Sequence, residues 1–307
     1  MNRDTFNRIY GHSSISESEM DRKYRVYIRE QEELQWLSEA AAVIAQQTSV
    51  GTNASGQYDA DAYKFIKATN ITDVLTRNYI NLLVTYLKTW GLWDNIKAIY
   101  PMVGGNATAH SYNLKDTTKF RIDFYGGWVH SATGAKPNGW SSYATTGFNP
   151  VTEGFSNANA HIGYYVRTAA ARNERLTGVS NGTDDEPIYL ISRYGNGQTI
   201  FAFGGNTGPT ARVTVSTANG FLQLNRNGSV TNGSINGIVR ATSVQTVASF
   251  TNLSFYLGCS RILYYGNYRY SDKECAFATF GDSLTVDQAN KFYTGIQQFQ
   301  TNLGRQV

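Results

Sequence analysis

From Ser16 to about Gln47, apolar residues recur at three- and four-residue steps: Met20, Tyr24, Tyr27, Ile28, Leu34, Leu37, Ala41 and Ile44. That spacing predicts one apolar face on a long helix. Ser16 with Glu19 makes a capping box at its start. Gln31 and Ser38 interrupt a near-heptad seam. The face, with Met20, Tyr24, Tyr27, Leu34 and Leu37 as its assembly residues, therefore suits either a short oligomerising coiled coil or a helix laid on its own chain or a neighbour. Residues 48–57, small and polar, read as a linker.

A second helical region follows. Tyr58–Ala68 predicts a short helix. The stretch Asn70-Ile71-Thr72-Asp73 is a start signal for another. Leu75, Tyr79, Leu82, Leu83, Tyr86, Leu87 and Trp90 build its apolar stripe, and Gly91 suits the position past its end. Leu92–Tyr100 reads as one more short helix, stopped by Pro101 and Gly104-Gly105.

After residue 104 the texture changes to runs of five to eight β-favouring residues separated by Gly/Asn turns. The candidates are Phe120–Tyr125, His161–Thr168, Ile188–Tyr194, Thr199–Phe203, Arg212–Val215, Phe221–Asn225, Ile235–Arg240, Ser254–Gly258, Arg261–Tyr264 and Cys275–Phe280. Asn227-Gly228, Asn232-Gly233 and Asn236-Gly237 are hairpin-type dipeptides. Thr285 and Gln288 form a capping box for a closing helix over 285–303, ended by Gly304. The expected organisation is α+β. Residues 1–57 form a helical attachment and oligomerisation segment, 58–104 a helical neck, and 105–307 an antiparallel β-sandwich or jelly roll with a C-terminal helix.

Composition agrees with this division. The first forty residues carry 8 acids and 6 bases, while the whole chain is only 16% charged. Net charge is +4 over 307 residues, with no clustered Lys/Arg, so nucleic acid is not an expected partner. No apolar run reaches the length of a membrane helix. No basic-then-apolar leader opens the chain, so no secretory signal is expected. Cys259 and Cys275 either face each other on neighbouring strands or, the favoured reading, remain two buried free thiols.

Two stretches carry a resemblance. One is TWGLWDNIKAIYPMVGGNATAHSYNLKD at 89–116, followed by FYGGWVHSATGAKPNGWSSYA at 124–144. The other is CAFATFGDSLTVDQANKFYTGIQQFQTNLGRQV at 275–307. Both resemble segments of virion proteins of tailed phages, especially phages of Bacteroidetes hosts, including the crAss-like group. Many strands ending in an FxxxGxxLT segment and a helix are also similar to concanavalin A-like (LamG-type) domains. The resemblance implies a non-enzymatic structural protein of the virion, assembled in the host cytoplasm. It would be a head or tail fibre, appendage or decoration protein, partnered by other virion proteins and by copies of itself. The alternatives are a receptor protein that binds a host surface glycan and a glycan depolymerase.

The residues themselves show little chemistry. Sandwich glucanases place paired carboxylates on alternate positions of one strand, and no such strand occurs here. Asp184-Asp185-Glu186, between Gly182 and Pro187, reads as a solvated turn or as a calcium-binding loop, with calcium the one cofactor under consideration. His12, His110, His130 and His161 do not pair at zinc-ligand spacing. For sugar contact the best stretch is 125–143. There Trp128, Asn138, Trp140 and Tyr143 lie among Gly and Ser, either as glycan contacts or as core and interface anchors.

Overall fold

The computed structural model describes residues 3–10, 16, 18–28, 31, 58–156, 158–168, 172, 174–180, 188–203, 211–244, 252–263 and 266–307. The chain divides into two compact units, residues 1–57 and 58–307. In the first, helix α1 (Arg3–Tyr10) precedes helical residues 18–28. Short, charged α1 is an element the hydrophobic pattern does not announce. Its Phe6 is buried and meets Tyr24 and Tyr27 at ring-centroid distances of 5.3 and 5.1 Å. Met20 is buried too. Part of the face expected for assembly is therefore taken by the chain's own first helix. Leu34, Leu37 and the 48–57 linker lie outside the described residues.

In the second unit, helices α2 (Ala60–Thr69) and α3 (Val74–Thr89) start where the sequence signals them. Asp59 and Asp73 accept hydrogen bonds from the Asp61 and Thr76 amides as N-caps. Leu82, Leu83, Tyr86 and Leu87 are buried as the stripe requires, but Leu75, the second residue of the helix, is 56% exposed. The expected helix over Leu92–Tyr100 is corrected: one 3-10 turn at Trp93–Asn95 leads into strand β1 (Ile96–Tyr100). The remaining strands are β2 (Asp123–Tyr125), β3 (Val129–Ser131), β4 (Gly134–Lys136), β5 (Tyr143–Thr145), β6 (Asn159–Val166), β7 (Thr177–Ser180), β8 (Ile188–Ile191), β9 (Gln198–Phe203), β10 (Ala211–Thr214), β11 (Gly220–Asn227), β12 (Val230–Ile235), β13 (Ile238–Val244), β14 (Tyr256–Leu257), β15 (Ser260–Ile262), β16 (Gly266–Tyr268) and β17 (Cys275–Gly281). Helix α4 (Ala107–Ser111) follows β1, and α5 (Val286–Asn302) closes the chain behind the predicted Thr285/Gln288 capping box.

The strands form two sheets. One runs β13-β12-β11-β6-β17-β4-β3, with β1 also on β17; the other runs β10-β9-β8-β7-β14-β5-β2, with β15 on β7 and β16 on β15. Pairing is antiparallel except between β15 and β7. Their facing sides make one core, with Ile162, Tyr164, Leu222, Leu224 and Phe280 from the first sheet and Leu190, Phe201 and Leu257 from the second. This is an α+β protein built on a β-sandwich.

Helix α5 covers the outer side of the first sheet. Phe292 sits edge-on against Phe221 and His161, and Phe299 against Phe277. Helix α3 lies on α5 in turn, the Tyr86 hydroxyl donating to the Lys291 carbonyl. With both faces covered, β6 and β17 read as continuous apolar runs rather than alternating ones. The boundary expected at 104/105 thus falls inside one compact unit: β1 is part of the sandwich, not of a separate neck.

Two turn readings separate here. Asn236 and Gly237 both take positive φ, 50° and 71°, and divide the expected Ile235–Arg240 strand into the β12–β13 hairpin. Asn232-Gly233 is not a turn. It lies within β12, where a Cβ on Gly233 would sit 2.1 Å from the Phe201 ring.

The C-terminus is tied into the sandwich by Arg305, whose side chain is fully buried. Its guanidinium donates to Gln300 Oε1 at 2.6 Å and to the carbonyl oxygens of Pro101 (2.6 Å), Met102 (2.7 Å) and Ala276 (2.9 Å). Burial pulls its pKa down to about 9. Both cysteines are buried free thiols, as favoured.

Two buried histidines set an acid limit on this fold. His161, under α5, donates from Nδ1 to the Asp282 carbonyl and is neutral, burial lowering its pKa to about 4. Burial, with His130 and Arg305 adding to it, lowers His110 to about 3. The unfolded chain binds these protons from about pH 6.5. Stability is therefore complete above that value and is lost as pH falls through about 4. Thermal melting between pH 7 and 4 should show a falling midpoint, and His161→Gln, which keeps a donor, should flatten the decline.

Candidate functional site

The outer side of the second sheet carries the candidate site. Along β2 and β5, Phe124 and Ala144 turn into the core, so Tyr125 and its cross-strand partner Tyr143 turn outward. The Tyr125 and Tyr143 rings stack at 4.8 Å with 15° between planes, and Tyr143 stacks on Tyr256 of β14 at 5.6 Å and 10°. Stacking covers the ring faces inside this row, so the row offers edges and hydroxyls outward.

Trp140 lies on the loop between β4 and β5 and is 77% exposed. Its position is built. Asn138 Oδ1 accepts from the backbone amides of Trp140, Ser141 and Ser142 at 2.9–3.0 Å. Gly139 takes φ +83°, and a Cβ there would lie 2.6 Å from Arg172 Nη1. Arg172 donates to the Gly139 carbonyl at 2.7 Å, holds Asp272 at 3.0 Å, and places its guanidinium 5.1 Å from the Trp140 ring centre.

The anchor runs deeper. Lys273, beside Asp272, is ion-paired to it and, at 3.4 Å, to Glu174; the Lys273 and Glu174 side chains are 1% and 0% exposed. Glu174 also accepts from the Ser192 and Ser271 hydroxyls. Burial pushes the Glu174 carboxyl up in pKa, against the pull of Lys273. Burial acts to raise Asp272 too, but Lys273 and then Arg172 outweigh it and hold that carboxyl below its usual value.

The four predicted sugar contacts therefore part company. Trp140 is presented to solvent. Asn138 spends its carbonyl oxygen on the turn. Tyr143 has its ring faces taken by Tyr125 and Tyr256. Trp128 packs against the core, edge-on to Phe124, and donates from Nε1 to the Tyr143 carbonyl at 3.1 Å. Arg172, Asp272, Lys273 and Glu174 escape a sequence reading because more than thirty residues separate Trp140 from Arg172, and a further hundred separate Arg172 from Asp272. The weak signal was a Lys and two acids inside β-rich sequence.

Other candidates are plainer. The fold brings His110 and His130, twenty residues apart, to 3.0 Å between Nδ1 atoms. No group of three or more His, Cys, Asp or Glu that could hold a metal occurs among the described residues. Asp184, Asp185 and Glu186 lie outside those residues. A cleft of 560 Å³ whose lining includes Thr72, Asp73, Gly104, Asn106, Ala132 and Leu303 carries no aromatic ring. No helix among the described residues is long and apolar enough to cross a membrane.

No known protein family matches the sequence, and no curated protein is similar to it. Solved structures show a partial likeness. Domain 4 of a GH43 extracellular arabinanase from Geobacillus stearothermophilus, in complex with arabinotriose, is 14% identical with a TM-score of 0.47, over 64% of this chain and 98% of that one. A Trypanosoma rangeli sialidase mutant displaying trans-sialidase activity is 11% identical with a TM-score of 0.42, over 73% and 39%. A botulinum neurotoxin type C structure, from work on its interaction with two ganglioside molecules, is 10% identical with a TM-score of 0.48, over 68% and 53%. The chain thus spans about half or less of the length of the last two. These likenesses concern the sandwich layout alone. The expectation that the protein is not an enzyme is corrected: the similar structures include a domain of a GH43 arabinanase and a sialidase.

If Lys273 anchors the site, Lys273→Met should cost about 3–5 kcal/mol by leaving Glu174 buried and unpaired. Urea denaturation measures this, and adding Glu174→Gln should recover much of the loss.

Proposed function

We propose that the β domain binds glycan at Trp140 and acts as the outward-facing part of a phage virion appendage. The observation that carries glycan binding is Trp140, 77% exposed yet held by the Asn138 turn and by Arg172. A flat apolar ring presented to water beside a charged donor–acceptor pair matches what a sugar offers, a C–H face with hydroxyls at its edge.

Virion membership is supported by the resemblance of residues 89–116, 124–144 and 275–307 to phage virion segments. Two of these stretches make one block, since β1 pairs with β17 and Arg305 reaches Pro101 and Met102. The likeness therefore lies in the sandwich scaffold, and the charged N-terminal unit is left for attachment to other virion proteins.

Wild-type protein should bind on a glycan array, and Trp140→Ala should weaken binding about tenfold or more, the loss of one aromatic contact. Its melting temperature should stay unchanged, because the ring is exposed. No binding by the wild type, or equal binding by the variant, refutes the reading. Immunogold labelling should decorate phage particles, and deletion of residues 1–57 should abolish incorporation.

A further inference from the structure

We infer that the Trp140 subsite selects neutral, hydroxyl-bearing sugars over acidic ones, with Arg172 and Asp272 acting together as its donor and acceptor. This rests on the glycan-binding reading. The cation at the ring is not a lone charge. Arg172 is paired to Asp272 at 3.0 Å, and the two side chains are 31% and 35% exposed, so both reach solvent together. Two of the five guanidinium N–H donors go to Asp272 Oδ2 and the Gly139 carbonyl, which leaves others for a ligand. Asp272 keeps acceptor capacity beyond its two cationic partners. A planar donor beside a carboxylate fits the alternating donors and acceptors of neighbouring sugar hydroxyls.

The charges beneath the ring balance. Lys273 is cancelled by Glu174 and Asp272 below the surface. Asp123, exposed on β2 two residues before Tyr125, adds a negative charge with no salt-bridge partner among the described residues. A carboxylate or sulfate on a ligand at Trp140 would meet Asp272. Arg175 is turned to another ring, 3.8 Å from the centre of Tyr189 on β8, two strands past Tyr256, whereas Arg261 acts at Tyr256, at one end of the row.

The test immobilises the full chain and compares neutral probes, arabinan and galactan oligosaccharides, with acidic ones, polygalacturonate and sulfated oligosaccharides, at low and high salt. Wild type should bind neutral probes with little salt dependence. Asp272→Asn should weaken neutral binding about tenfold, the loss of hydrogen bonds to a charged acceptor. It should also gain salt-sensitive binding to the acidic probes, because Arg172 loses its counter-charge. Arg172→Gln, at a half-exposed position, should lose neutral binding without that gain, and it carries the test if Asp272→Asn proves unstable. Salt-sensitive preference of the wild type for acidic probes overturns this inference and leaves glycan binding standing. No binding to any probe overturns both.

Discussion

The structure depends on one buried cation. Arg305 carries its charge into a space lined by carbonyl oxygens, those of the adjacent Pro101 and Met102 and that of Ala276, so it joins two parts of the chain far apart in sequence. A guanidinium is suited to this because its donors fan out in one plane and it does not readily give up its proton. A buried carbonyl left without a donor is costly, and Arg305 supplies one to each of the three. The bond to Met102 also accounts for a strained backbone there, at φ 47°. The last residues thereby lock the exit of β1 against β17, and β17 in turn pairs with β6, β4 and β1.

From that lock the layers follow. Arg305 holds the end of helix α5 on the first sheet, and α3 packs on α5. On the second sheet Tyr125 and Tyr143 turn outward, and Trp140 is exposed. The same device recurs at the site on a smaller scale. A buried ion pair, Lys273 with Glu174, supports a surface pair, Asp272 with Arg172, and that supports an exposed ring. Buried ion pairs are weak as sources of stability but strong in geometry, because removing one partner strands the other. Such a root suits a surface whose work is to hold one shape.

Helix starts were legible in the sequence because capping is local: Asp73, and Thr285 with Gln288, act within one turn. The strands β6, β9, β11 and β17 were legible because both faces are buried and the runs are long. Leu92–Tyr100 misled because a short apolar run carries no period of its own, and only the edge offered by β17 made it a strand. Strands β3, β4 and β5 were missed because three residues each, rich in Gly, Ala and Ser, leave no pattern. Asn232-Gly233 misled because glycine serves a turn and a close packing contact equally well, and Phe201 decides between them.

Sequence alone determined where helices begin, that a turn-rich β region follows residue 104, and that Trp140 lies in a turn. These depend on neighbours a few residues apart. Tertiary structure decided which aromatic ring is presented and which are stacked or buried, and it paired His110 with His130. It also assembled Arg172, Asp272, Lys273 and Glu174 behind Trp140. Those outcomes depend on strands distant in the chain meeting in register, and on burial making each unpaired charge too costly to leave alone.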